Sequence, residues 1–169
     1  PSYGLVSSTG STTTTSSVTI ERIQGAGLLI HDALSNTHDA IKISQCDATG
    51  AHVQNGRGTT DFMGAEFHDN QKAGLSFLKA GSVQLTDSGV FNTQAVGAQI
   101  TSDDLVLGHG LQIAEGDAQV NMSGVLLADN EIVGLLLDGD NLSVTASDVT
   151  IGLRDLACSD DYADCFGVQ

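Results

Sequence analysis

A glycine returns along this chain at a nearly fixed interval, and that interval limits the fold more than any other feature. Gly4, Gly27, Gly50, Gly74, Gly97 and Gly134 each open a short, apolar, alternating stretch. The steps are 23, 23, 24, 23 and 37 residues, the last being one period plus about fourteen inserted residues. A repeat of this length means that one small supersecondary unit is stacked on copies of itself.

Each repeat holds three two-residue apolar pairs. Around Asn70 they are Thr60/Phe62, Ala65/Phe67 and Leu75/Phe77. The same offsets give Val83/Leu85, Ser88/Val90 and Ala98/Ile100 around Thr93, and Val120/Met122, Val125/Leu127 and Leu135/Leu137 around Asn130. Earlier coils supply Val18/Ile20, Leu28/Ile30, Ile41/Ile43 and Ala51/Val53, and a final coil supplies Leu142/Val144 and Ser147/Val149. A period of two marks strands with one buried face. Three short strands per 23 residues make one turn of a coil, and stacked coils bury continuous columns of side chains. The expected fold is all-β: a parallel β-helix of about six coils, with three short strands per coil and a 23-residue period. At roughly 4.8 Å per coil it would be about 30 Å long.

Cys46, Asn70, Thr93 and Asn130 recur at one turn position, with Asp69 and Asp129 beside two of them. Asn suits such a corner because it tolerates left-handed backbone and bonds nearby amides. The repeat glycines are expected to provide positive φ at the following corner.

The strings HDNQKAGLSF, ADNEIVGLLL and, more loosely, NTQAVGAQI share a pattern: a corner Asn or Asp, three or four residues, Gly, then an alternating apolar strand. In this the chain resembles the right-handed parallel β-helix proteins of the pectin-lyase-like superfamily, over nearly its whole length. The resemblance implies a right-handed coil, in line with the general preference of parallel crossovers. It implies little about activity, since lyases, hydrolases, adhesins and surface proteins share the fold.

The 169 residues fit one domain, expected as a β-helix over 1–157 with an inserted loop at 101–114, and a C-terminal cap segment over 158–169. Apolar residues make up 40%, aromatics are few and Trp is absent, so the core should be mainly aliphatic. The net charge of −15 disfavours nucleic acid and anionic membrane surfaces as partners. No run of 18 apolar residues suggests a membrane span. Cys158 and Cys165 flank SDDYAD, and a disulfide between them would pin the cap and imply an oxidising, extracellular location. Cys46 is expected as a free, partly buried thiol.

Gly4, Leu5 and Val6 fall in mid-coil register, so this end is expected to be open, either for head-to-tail assembly or because the chain continues as further coils. The insertion TSDDLVLGHGLQIA reads as a hairpin or flap, with Leu105/Leu107 and Leu111/Ile113 alternating about Gly108-His109-Gly110. Its Asp103, Asp104 and His109 are the candidate ligand or interaction residues.

Polygalacturonases carry an Asn-Thr-Asp motif, an Asp-Asp pair and Gly-His-Gly, whose carboxylates act as acid and base. Here Asn36-Thr37-His38-Asp39, Asp103-Asp104 and Gly108-His109-Gly110 stand at the wrong spacing, and the Arg-x-Lys signature is missing. A lyase-like base would have to come from Arg22, Lys42, Arg57, Lys72, Lys79 or Arg154. Lys42 should point outward one coil from Glu66, as a surface ion pair of little energy. Asp138-Gly139-Asp140-Asn141 is where a calcium ion would sit, although the EF-hand pattern is incomplete. The Thr run 12–15 suggests a threonine array only if it repeats, and the equivalent positions hold Val83/Leu85 and Val120/Met122.

No catalytic, metal or cofactor set is assigned. The chain is read as a non-catalytic extracellular structural or adhesive β-helix that self-associates end to end through its open N-terminal coil. The alternative is a polysaccharide lyase- or hydrolase-like, or carbohydrate-binding, β-helix.

Overall fold

The computed structural model describes residues 2–95 and 108–152. Among these residues eighteen strands, β1–β18, form three parallel six-stranded sheets, each coil giving one strand to each sheet. The first sheet contains β1 (Ser2–Ser7), β4 (Gly25–His31), β7 (Ala51–Gln54), β10 (Ala73–Leu78), β13 (His109–Ala114) and β16 (Val133–Asp138). The second contains β2 (Thr12–Ser16), β5 (Ser35–Asp39), β8 (Thr59–Met63), β11 (Ser82–Thr86), β14 (Gln119–Ser123) and β17 (Ser143–Ser147). The third contains β3 (Thr19–Glu21), β6 (Lys42–Ser44), β9 (Glu66–His68), β12 (Gly89–Phe91), β15 (Leu126–Ala128) and β18 (Thr150–Gly152). This is the expected solenoid of about six coils, with a period of 23 to 24 residues outside the insertion.

Alternation along each strand sends one set of side chains inward. Leu28, Ala51, Leu75 and Leu111 stack as one buried column of the first sheet, and Ile30, Val53, Phe77 and Ile113 as another. Ile43, Phe67, Val90 and Leu127 do the same in the third sheet. Burying each Val, Leu, Ile or Phe of these columns contributes about 1.5–3 kcal/mol. The second sheet starts differently. Its inward columns run Thr13, Asn36, Thr60, Val83 and Thr15, His38, Phe62, Leu85. On the second-sheet side the first coils therefore bury polar side chains, while their other two sheets keep the apolar columns. Ser7 Oγ donates to Asn36 Oδ1 at 2.6 Å, Thr13 Oγ1 donates to Ser7 Oγ at 2.8 Å, and Thr15 Oγ1 lies 2.9 Å from His38 Nδ1.

The three corners show why the glycines recur, and the reason is not positive φ. Left-handed backbone is carried mostly by other residues. Asp32, Asn55, Lys79 and Glu115 hold it after the first sheet, and Arg22, Gln45, Asp69, Asn92 and Asp129 after the third. Gly27, Gly50, Gly74 and Gly110 are needed for space. A Cβ on Gly50 would lie 2.7 Å from Asn70 Nδ2, and one on Gly110 would collide with Asn130 Nδ2. Asn70 uses that room to bond the preceding coil, accepting from the Cys46 N–H at 3.1 Å and donating to the Ile43 carbonyl at 3.1 Å. Asn130 repeats both bonds with Thr93 N–H and the Val90 carbonyl, each at 3.2 Å. Cys46 itself is fully rather than partly buried, and burial pushes its thiol pKa up.

Three expected registers are corrected. The repeat glycine of the fifth coil is Gly110, not Gly97. The spacing is 23 residues between Gln71 and Gln94 but 36 between Ala73 and His109, so the extra residues precede this strand rather than follow it. Leu111 and Ile113 therefore belong to β13, parallel to β10 and β16, and do not form half of a hairpin. Residues 96–107, including Leu105, Leu107, Ala98 and Ile100, lie outside the described residues. In the last coil the inward pairs are Val144/Ala146 and Val149/Ile151, two residues on from the expected ones. Of the Thr run, Thr13 and Thr15 lie in inward columns, while Thr14 heads an outward column of Thr37, Asp61, Gln84, Asn121 and Thr145.

Candidate functional site

The outward face of the first sheet carries a row two residues after each repeat glycine: Val6, Leu29, His52, Ser76, Gln112 and Leu136. The row is apolar at both ends and polar across three successive coils. With strands about 4.8 Å apart, His52 and Gln112 stand about 10 Å from each other. The polar stretch is the floor of a cleft of about 450 Å³. Ser76 is 5% exposed and Gln112 6% exposed, and neither side chain has a hydrogen-bond partner among the described residues.

The cleft's ends are set by the corners. Lys72, in left-handed backbone just before β10, forms one wall. Glu115 and Gly139, just after β13 and β16, form the other with Asp138. Their stacking is fixed by the backbone, since Glu115 N–H donates to the Asp138 carbonyl at 3.1 Å and Lys79 N–H to the Ala114 carbonyl at 3.3 Å. Lys79 Nζ lies 3.7 Å from a Glu115 carboxylate oxygen. Ala73, Leu78 and Ala114 supply apolar surface between the walls.

Burial lowers the His52 pKa, nearby His31 adds to this, and a hydrogen bond with Gln54 and the Glu115 carboxylate oppose it only in part. The imidazole is therefore neutral at neutral pH. The floor thus presents uncharged donors and acceptors, and charge is confined to the walls.

The residues singled out in sequence fall elsewhere or fall outside the described residues. His109 is 4% exposed within β13, between Ala73 and Val133, rather than at the tip of a loop. Asp103, Asp104, Cys158 and Cys165 lie outside the described residues. Asn36 and His38 are buried in the core, so the Asn-Thr-His-Asp string is no surface motif; only Asp39 of its acid-base residues is exposed. Gly4, Leu5 and Val6 lie on β1, remote from the cleft, with Val6 exposed. Lys42 does pair with Glu66, at 2.9 Å. Asp138 faces the cleft, and among the described residues no three His, Cys, Asp or Glu side chains converge to hold a metal ion. His52, Ser76 and Gln112 were missed. Their signal was a polar residue inside GAHVQ, GLSFL and GLQIA, where GLLIH and GLLLD have leucine.

A crystal structure titled pectate lyase Pel9A superposes on 94% of this chain with a TM-score of 0.57 and 13% identity. The chain spans 56% of that protein's length, and at this identity the likeness is one of fold. Comparison with curated protein sequences gives no match. The family model described as "Right handed beta helix region" matches residues 1–151. With its coils, its inward columns and this match in agreement, the chain belongs to the right-handed β-helix family.

Proposed function

We propose that the chain is a non-catalytic, extracellular β-helix module with an adhesive role, which holds a glycan in the cleft of the first sheet. The supporting observation is the row itself. Three successive coils present His52, Ser76 and Gln112, and the flanking coils present Leu29 and Leu136. A rigid strand-borne row with a fixed repeat suits a ligand that also has hydroxyl groups at intervals. The test is calorimetric titration with a panel of neutral and acidic oligosaccharides, repeated with Ser76→Ala. Saturable binding weakened by the substitution supports the reading, and no binding across the panel overturns it.

A lyase-like activity is the second reading, favoured by the fold shared with a pectate lyase. Its base would be sought at Lys72, which has no carboxylate partner among the described residues. The assay is depolymerisation of polygalacturonate, followed by ultraviolet absorbance of the unsaturated product. Turnover lost in Lys72→Ala would establish this reading and displace the first.

The extracellular location is tied to a disulfide between Cys158 and Cys165. Alkylation of the denatured protein before and after reduction tests it by mass. A single label before reduction, on Cys46, fits the pairing; three labels contradict it. End-to-end association through β1 is proposed on the same footing, since Gly4, Leu5 and Val6 lie on a strand that, among the described residues, pairs with β4 alone. Sedimentation across a wide concentration range tests it, and a monomer throughout rejects it.

A further inference from the structure

The cleft is more selective than a general hydroxyl-binding groove. Ser76 and Gln112 are both more than nine-tenths buried, both line it, and neither has a hydrogen-bond partner among the described residues. Their side-chain polar atoms stay open to the cleft, so a ligand bound there would take the place of water on two groups that have no protein partner among the described residues. Gln112 is the more informative. Its amide offers an acceptor and two donors in one plane. The best complement to such a group is another amide, which answers with one donor and one acceptor side by side. Two residues further along the same strand, Ala114 lies beside Leu78 and adds a small apolar patch to the cleft. An amide with an attached methyl group matches both features.

Charge narrows the class further. The chain as a whole carries −15. At the cleft, Lys72 and Lys79 balance Glu115 and Asp138. His52 is neutral for the reason given above. A ligand without net charge is thus neither drawn in nor repelled there, while a polyanion meets the field of an acidic protein.

Resting on the glycan-binding reading, we infer that the cleft recognises an uncharged N-acetylated sugar. Gln112 pairs with the acetamido amide, the methyl group lies against Leu78 and Ala114, and Ser76 and His52 bond ring hydroxyls. The floor spans about two sugar rings, given strands about 4.8 Å apart.

The test is titration of the whole chain with four trisaccharides. These are the β-1,4 trimer of N-acetylglucosamine, the same trimer without its acetyl groups, cellotriose and trigalacturonate. The N-acetylated trimer is expected to bind at least about tenfold more tightly than the other three, since a site built around an amide rejects analogues that lack it. Gln112→Ala and Gln112→Glu are each expected to erase that preference, with thermal unfolding run alongside to show that the variants are folded. If cellotriose or trigalacturonate binds as tightly as the N-acetylated trimer, the inference falls and the glycan-binding reading stands. If none of the four binds, both fall. If the preference survives both Gln112 substitutions, this assignment of the site is wrong.

Discussion

Asn70 Oδ1 accepts the backbone N–H of Cys46 at 3.1 Å, so a side chain of one coil completes the backbone of the coil before it. The same amide donates to the Ile43 carbonyl at 3.1 Å, and Asn70 has no solvent exposure. Asn70→Ala leaves a buried donor and a buried acceptor without partners. A buried unpaired group costs about 1–3 kcal/mol, so the expected loss of stability is about 3 kcal/mol, measured by urea unfolding. A loss below about 1 kcal/mol would mean that water or a shifted backbone replaces both bonds.

Gly50→Ala tests the same junction from the other side. Its Cβ would lie 2.7 Å from Asn70 Nδ2 and 2.5 Å from the Gly74 carbonyl oxygen. Overpacking of this kind costs about 1–3 kcal/mol. In Asn70→Ala the obstructing amide is gone, so the double variant should be more stable than the two single losses predict. A double-mutant cycle reads the coupling, expected at about 1 kcal/mol. Simple additivity would show that the glycine is required by the Gly74 backbone and not by the corner side chain.

His38 makes the fold sensitive to acid. It is fully buried, stacks on Phe62 with ring centroids 5.2 Å apart, and burial lowers its pKa from 6.5 to about 4. Well above pH 6.5 neither the folded nor the unfolded imidazole is charged, and the group adds no pH dependence. Between pH 6.5 and about 4 the unfolded chain takes up a proton that the folded chain refuses. Stability should therefore fall with falling pH by up to about 1.4 kcal/mol per unit, or about 3 kcal/mol over the window. His38→Phe is expected to flatten that part of the profile, as followed by denaturant unfolding at pH 7 and pH 5. The same slope in both proteins would place the acid sensitivity elsewhere.

Lys42 and Glu66 give the contrasting case. Their ion pair is short at 2.9 Å, but the two side chains are 52% and 41% exposed. Water and salt screen such a pair, so Lys42→Ala should change stability by less than about 0.5 kcal/mol. A loss above about 1 kcal/mol in denaturant unfolding would mean that the lysine stem packs on the sheet as well as pairing.

The inward side of the solenoid was legible because a column of stacked side chains imposes the same demand on every coil. Phe62/Leu85/Met122 and Phe67/Val90/Leu127 could be aligned from spacing alone. The fifth glycine was misread because NTQAVGAQI carries a good local copy of the motif. Only the distance back from Gly134 to Gly110 distinguishes the true repeat position, and that distance has meaning once the coils are paired. The purpose of the glycines was misread for a related reason. Freedom of φ is a property of one residue, whereas a collision with Asn70 exists only between coils. The cleft was hidden because outward residues carry no shared constraint. His52, Ser76 and Gln112 differ in chemistry, and only the stacking of β7, β10 and β13 sets them in one row.

The insertion has a consequence for how this molecule can vary. Beyond the interval between Gln94 and Gly108, every strand resumes its register with the coil below: Leu75 meets Leu111, Leu85 meets Met122, and Val90 meets Leu127. Extra length entering at that corner leaves no trace one strand later. The corner behaves like an open slot in a ratchet, where material can be added or removed at the edge of the sheet that bears the cleft while the interior keeps its step. Change in what the surface offers and preservation of what the core needs are, at that point, uncoupled.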